Sequence, residues 1–126
     1  MAIEELKIRD RVQEATISTG TGKLKLYGAY PKFRTFADAF GYSYDKFPYL
    51  IETEQGDWEI GVGTYDLVYN ELHREEIHIT SNGNNSPINI QEGIHKVSHT
   101  INATLLELMF TRLVNIESRV NALENS

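Results

Sequence analysis

The residues that could carry chemistry are few and do not converge on one site. Gly20-Thr-Gly-Lys23 resembles the end of a phosphate-binding loop, but the motif's first glycine is missing. Leu24 follows the lysine where a magnesium-binding Ser or Thr would stand, so nucleotide binding is not expected. Gly61-Val-Gly63 lies inside an alternating run with no helix after it, and reads as a bulge or close backbone packing rather than a dinucleotide loop. The adjacent carboxylates Glu75 and Glu76 would point to opposite faces of a strand and read as solvated charge. No Ser/His/Asp arrangement stands out, and with no cysteine there is no disulfide, thiol or zinc-thiolate chemistry. No catalytic, cofactor-binding or metal residue is expected, and no enzyme.

Two residue types stay open. His95 and His99 are four apart, the spacing of two ligands on one helical face. If the terminal helical pattern ran back this far, they and Asn102 would stack on an oligomer axis around an ion or water. If Ile94 to Thr100 is a strand, both rings simply share its outer face, which is the preferred reading. The seven tyrosines include Tyr42 and Tyr44 in the Gly41-Tyr-Ser-Tyr-Asp45 loop. A phenol combines apolar area with a hydroxyl, which suits a glycan or protein contact surface, although most of these rings could equally close a small β core.

The elements that must position these groups are read from period and punctuation. A chain of 126 residues makes about one domain with a modest core. Its net charge of −6 argues against nucleic acid, because phosphate contact needs a basic face. The opening MAIEELKIRD is charged throughout, against a secretory signal, and no stretch approaches a membrane span. Residues 1–10 form an arm or a first element. A small antiparallel β domain of sandwich kind is expected over 11–100. Within it, Arg11 to Ile17 is a strand ending at Ser18-Thr-Gly-Thr-Gly22, and Lys23 to Tyr27 alternates as the next. Phe33, Phe36, Ala37 and Phe40 share a helical face, predicting a short helix that caps the core. Tyr49 to Thr53 and Trp58 to Val62 form a hairpin across Glu54 to Asp57. Glu71 to Thr80 is a further strand, and Ile88 and Ile90 mark a short one. The expected core comprises Leu24, Leu26, Phe33, Phe36, Phe40, Trp58, Ile60, Val62, Ile77 and Ile79. In it Trp58, Ile60 and Val62 face one side and pack on Leu24 and Leu26.

The last element, residues 101–126, is the most regular. Leu106, Met109, Leu113, Ile116, Val120 and Leu123 alternate by three and four, giving heptad positions a (Leu106, Leu113, Val120) and d (Met109, Ile116, Leu123). Arg112 and Arg119 fall at g; Glu117 and Glu124 fall at e. In a parallel coiled coil each g residue meets the e residue five positions on in the next chain, so Arg112 faces Glu117 and Arg119 faces Glu124. Asn102 or Thr104 can cap this helix, and Thr104-Leu-Leu-Glu107 fits a capping box. Arg112-Leu-Val-Asn-Ile-Glu117 and Arg119-Val-Asn-Ala-Leu-Glu124 resemble the Arg-h-x-x-h-Glu motif, h being apolar, of parallel trimeric coiled coils. A homotrimer is expected.

A second resemblance covers residues 10 to 97. Asp10-Arg-Val-Gln-Glu14, Thr19-Gly-Thr-Gly22, the Leu24/Leu26 run, Gly28-Ala29, Phe33 and Phe36 carry its first half. Asp57-Trp-Glu-Ile-Gly-Val-Gly-Thr-Tyr65, Leu72-x-Arg74, Ser81-Asn-Gly83 and Ile88-Asn-Ile90-x-x-Gly93 carry its second. In this order and spacing they resemble a recurrent small β domain of tailed-bacteriophage virion proteins, found in tail-fibre, collar and other accessory components. The resemblance implies a non-enzymatic structural protein located in the virion, with other virion proteins or a host-surface glycan or receptor as partners. A tail fibre, spike or baseplate-associated part is the leading expectation, with capsid decoration or a head fibre as the rival. The terminal coiled coil departs from that domain, which usually ends in a strand near Lys96-Val97.

Overall fold

The computed structural model describes residues 6–41 and 45–124; Tyr42, Tyr44 and the first five residues of the expected arm lie outside them. The order is β1 (Gln13–Thr16), β2 (Leu24–Lys25), α1 (Phe36–Ala39), β3 (Lys46–Glu52), β4 (Trp58–Asp66), β5 (Glu71–Thr80), β6 (His95–His99) and α2 (Ala103–Glu124). All strand pairings between these elements are antiparallel, in the order β1-β6-β3-β4-β5-β2. The two ends of the sheet are stitched together where residues 25–30 run along β1. Tyr27 N–H donates to Ala15 O at 2.9 Å, and Ala15 N–H to Gly28 O at 3.0 Å. One nearly closed barrel results, not the two packed sheets of a sandwich. Closure satisfies edge donors and acceptors that a small sheet would otherwise expose.

The barrel is filled by Leu24, Leu26, Phe36, Phe40, Phe47, Tyr49, Ile51, Tyr65, Leu72, Ile88, Ile90 and Val97, among others. Its aromatic end is stacked: Phe40 lies 4.1 Å and Phe36 5.4 Å from Phe47 between ring centroids. α1 closes this end and is only four residues long. Thr35 caps it by accepting from Asp38 N–H at 3.0 Å, and the buried Glu14 accepts from Phe36 N–H at 2.7 Å and Gly28 N–H at 3.1 Å. Burial pushes the Glu14 carboxyl up, against the pull of those two backbone donors. Phe33 lies before the helix rather than in it. Its ring is only half-buried and sits 3.9 Å beneath the Arg11 guanidinium, so it is not a core residue.

The other corrections fall on β4 and β5. Glu59, Gly61, Gly63 and Tyr65 face inward, and Trp58 and Ile60 lie half-buried on the outside. Val62 is 1 % exposed yet stands apart from the barrel's core cluster. The inward glycines make room for Tyr49. A Cβ at Gly63 would lie 2.5 Å from His73 O and 3.2 Å from the Tyr49 ring, and one at Gly61 would meet Glu76 O. β5 also slips register against β4 between Ile60 and Gly61 and again between Val62 and Gly63. The first slip separates Ile77 from Ile79, leaving Ile77 half-buried and Ile79 44 % exposed. Close packing and bulges therefore coincide at this stretch. Trp58→Ala should accordingly cost about 1 kcal/mol, well below the roughly 3–5 kcal/mol of a fully buried large aromatic. Urea titration of the variant checks this; a loss in the larger range would place Trp58 in the core.

β6 leads to α2 past two intervening strands. Reaching β5 from β6 means crossing three strand spacings, about 14 Å, and the short link Thr100 to Asn102 makes the connection. Between the two strands lie β3 and β4, whose paired Pro48 and Val62 are buried. On arrival Asn102 caps α2, accepting from Leu105 N–H at 2.9 Å and donating to His78 Nδ1 at 3.1 Å. Leu105 is buried, and no other residue of α2 is. The helix stands clear of the barrel beyond its first turn.

Candidate functional site

Three places combine exposure with chemistry, or hold polar groups that could. The first is the terminal helix. Leu106 (42 % exposed), Met109 (39 %), Leu113, Ile116, Val120 and Leu123 all lie open along it. Arg112, Glu117, Arg119 and Glu124 are also exposed, on its flanks. A 22-residue helix with this much open apolar surface is marginal alone in water, and its order would gain from association. No helix among the described residues is long and apolar enough to cross a membrane.

The second is a cavity of about 570 Å³ lined by Lys46, Thr64, Tyr65, Asp66, Val68, Tyr69, His73 and Glu75. The turn from β4 to β5 builds its rim. Asp66 Oδ1 accepts from Val68 N–H at 2.9 Å and Tyr69 N–H at 3.2 Å, which leaves Oδ2 facing the cavity side. Asp66 pairs across the strands with Glu71, and Thr64 with His73, so these four side chains share one face. Asp66, Glu71 and His73 bring ligand atoms within 4.8 Å of one another and could hold a divalent cation. The His73 Nε2 atom is buried with no hydrogen-bond partner among the described residues, 3.9 Å from Asp66 Oδ2. Lys25, opposite Glu71 on β2, brings a positive charge to the same rim. Sequence reading missed this group. The signal was the cross-strand position of Asp66 and Glu71, which becomes visible only once the turn over residues 67–70 is placed.

The third place is the barrel interior, where polar side chains are held rather than presented. Glu59 and Arg74 form a bidentate ion pair at 2.6 and 2.8 Å, with side chains 0 % and 2 % exposed. Tyr49 Oη donates to Glu59 at 2.7 Å, and Ile88 N–H donates to it at 2.9 Å. Arg74 also donates to the carbonyls of Gly20, Gly22 and Ile88, tying two loops to the barrel. Burial, then the neighbouring Glu59 charge, holds the Tyr49 phenol far above its usual range. Every group here is engaged, which suits a clasp and not a reaction.

The histidines belong to this interior as well. Both lie in β6 on the face of the buried Val97, not on its outer face and not on a helical axis. His95 Nδ1 accepts from Glu54 N–H at 3.0 Å and its Nε2 donates to Gln91 O at 2.8 Å. His99 Nε2 accepts from Arg9 N–H at 3.0 Å, so Nδ1 carries the proton donated to Pro48 O at 2.7 Å. Burial lowers the His99 pKa, outweighing the Pro48 carbonyl that favours the charged ring. Its stabilising share is therefore complete above the unfolded value of about 6.5 and is lost as pH falls from there through the folded value. His99→Gln should flatten the pH dependence of the melting temperature between pH 7 and 5. An unchanged slope would show that His99 does not carry it.

Candidate surface, cavity and clasp are defined by this chain's own geometry. No family model, curated protein or solved structure matches the chain.

Proposed function

We propose that this chain is a non-enzymatic structural protein that assembles as a parallel homotrimer, each chain carrying a β barrel on a coiled-coil stalk. The observation that carries this is the unbroken run of six exposed apolar a and d residues on α2. The seam alone is compatible with two or three strands, since Leu at a with Ile at d leans to higher order while Met109, Val120 and Leu123 blur the rule. The two Arg-h-x-x-h-Glu segments favour three: each Arg stem covers seam residues while its head reaches the Glu of the next chain. The resemblance of residues 10–97 to a small β domain of tailed-phage virion proteins supports assignment to a virion. A tail fibre, spike or baseplate-associated part comes first, and capsid decoration or a head fibre second. Light scattering is expected to give three times the chain mass, and mass spectrometry of purified particles to find the protein in stoichiometric amount. A monomer at tens of micromolar, about a routine assay concentration, would overturn the assembly; absence from particles would overturn the location.

A glycan-binding tip is favoured by one separate observation. The cavity beside the β4–β5 turn offers Asp66, His73 and Glu75 next to Tyr69, which is 63 % exposed. Carboxylates with an open aromatic edge suit sugar hydroxyls and ring faces. A glycan array compared between the native chain and Tyr69→Ala tests this reading.

A further inference from the structure

The seam does not account for all the open apolar surface of α2. Leu108 is 48 % exposed, and Phe110 and Val114 are each 59 % exposed, yet they occupy heptad positions c, e and b. At 3.6 residues per turn, Leu105 and Leu108 lie on one flank of the seam and Phe110 and Val114 on the other. Leu105 is the helical residue buried against its own barrel, so the barrel hangs on the g flank.

Resting on the parallel trimer proposed above, this placement has a geometric consequence. The pairing that sets Arg112 opposite Glu117 also sets the g flank of each chain beside the e flank of the next. A barrel on the g flank at the height of Leu105 then stands beside Phe110 of its neighbour, five residues on. The charge pattern agrees. Farther along the same flank the e residues become Glu117 and Glu124 and the b residue becomes Asn121. Apolar character thus stops about 14 Å beyond Leu105, within the reach of a barrel whose β5 strand alone has 10 residues.

The barrel offers a matching surface next to the helix anchor. Leu50 pairs with Ile60 and Ile60 with Ile79, making an aliphatic row across the outside of three strands. Ile79 directly follows His78, to which Asn102 is bonded. We infer that in the trimer each barrel docks on the next chain's helix, its Leu50–Ile60–Ile79 row receiving Phe110 and Val114 of that chain. The barrels would then be locked around the stalk instead of swinging from it.

The absence of native cysteine makes the test direct. A double variant, Ile79→Cys with Phe110→Cys, carries the only two thiols and is treated with a short bismaleimide; light scattering is run on the same sample. The expected result is a scattering trimer with covalent dimers and trimers on a denaturing gel. Ile79→Cys with Glu124→Cys, on the same flank but about 21 Å farther along, should give few or none. A trimer by scattering without cross-links, or with equal cross-links in both variants, overturns the docking and leaves the trimer standing. A monomer by scattering overturns the trimer and the docking together.

Discussion

Arg74→Met is expected to destabilise the barrel by about 3–5 kcal/mol, the usual cost of removing one partner from a buried ion pair. Glu59 would keep its charge inside the barrel, with Tyr49 Oη and Ile88 N–H left among the described residues to compensate it. The carbonyls of Gly20, Gly22 and Ile88 would lose their donor at the same time. The two loops they belong to should loosen before the sheet does. Adding Glu59→Gln to Arg74→Met removes the stranded charge while preserving an acceptor for Ile88 N–H, so the double variant should recover part of the loss. A double-mutant cycle by chemical denaturation reads the coupling directly. A loss below about 1 kcal/mol for Arg74→Met would mean that water reaches the pair, as at surface salt bridges. Replacing both partners by apolar residues is a different experiment, because Tyr49 and Ile88 would then both be left unsatisfied.

The second large effect concerns assembly. If the chain forms the parallel trimer proposed above, Leu113→Asp with Ile116→Asp should give monomers while leaving the barrel folded. Two of six seam side chains are removed from each chain, forfeiting about 3–6 kcal/mol per chain at 1.5–3 kcal/mol for each buried side chain. Setting carboxylates on the axis adds to that loss. Tenfold in affinity corresponds to about 1.4 kcal/mol, so the seam alone predicts a weakening of at least 100-fold. A variant that merely truncates the chain after Ala103 would be a poorer test. It removes the buried Leu105 and takes away the amide that Asn102 caps. The point variant keeps both. Freed from its partners, α2 beyond Leu105 should lose much of its helical circular dichroism, while the barrel's near-ultraviolet signal stays. Light scattering that still reports a trimer would sink the seam as the assembly element.

How much of this could be read from the chain depends on the range of the interactions involved. The heptad stripe of α2 is a local pattern, because residues three and four apart share a helical face whatever surrounds them. The strand from Glu71 to Thr80 and the Glu54–Asp57 hairpin were legible for the same reason: period two and turn residues act over a few positions. Period two nevertheless defines two faces without saying which is inside. On β4 the apolar set Trp58, Ile60 and Val62 looked like the core face, and the interior instead took Glu59, Gly61, Gly63 and Tyr65. That choice depends on Arg74, 15 residues away, which compensates Glu59, and on Tyr49 from the neighbouring strand, whose ring fills the space above the glycines. His95 and His99 went inward by the same logic: His95 found the Glu54 amide 41 residues away besides the nearer Gln91 carbonyl, and His99 found the Pro48 carbonyl 51 residues away and the Arg9 amide 90 away. The rim of Asp66, Glu71 and His73 came from strand register, as did the aliphatic row of Leu50, Ile60 and Ile79. By itself, then, the sequence determined most of the strands, the terminal helix and its heptad stripe. Only the tertiary structure decided which face of each strand is inside, since a buried charge or a bare glycine is stable inside only where a distant residue satisfies or fills it.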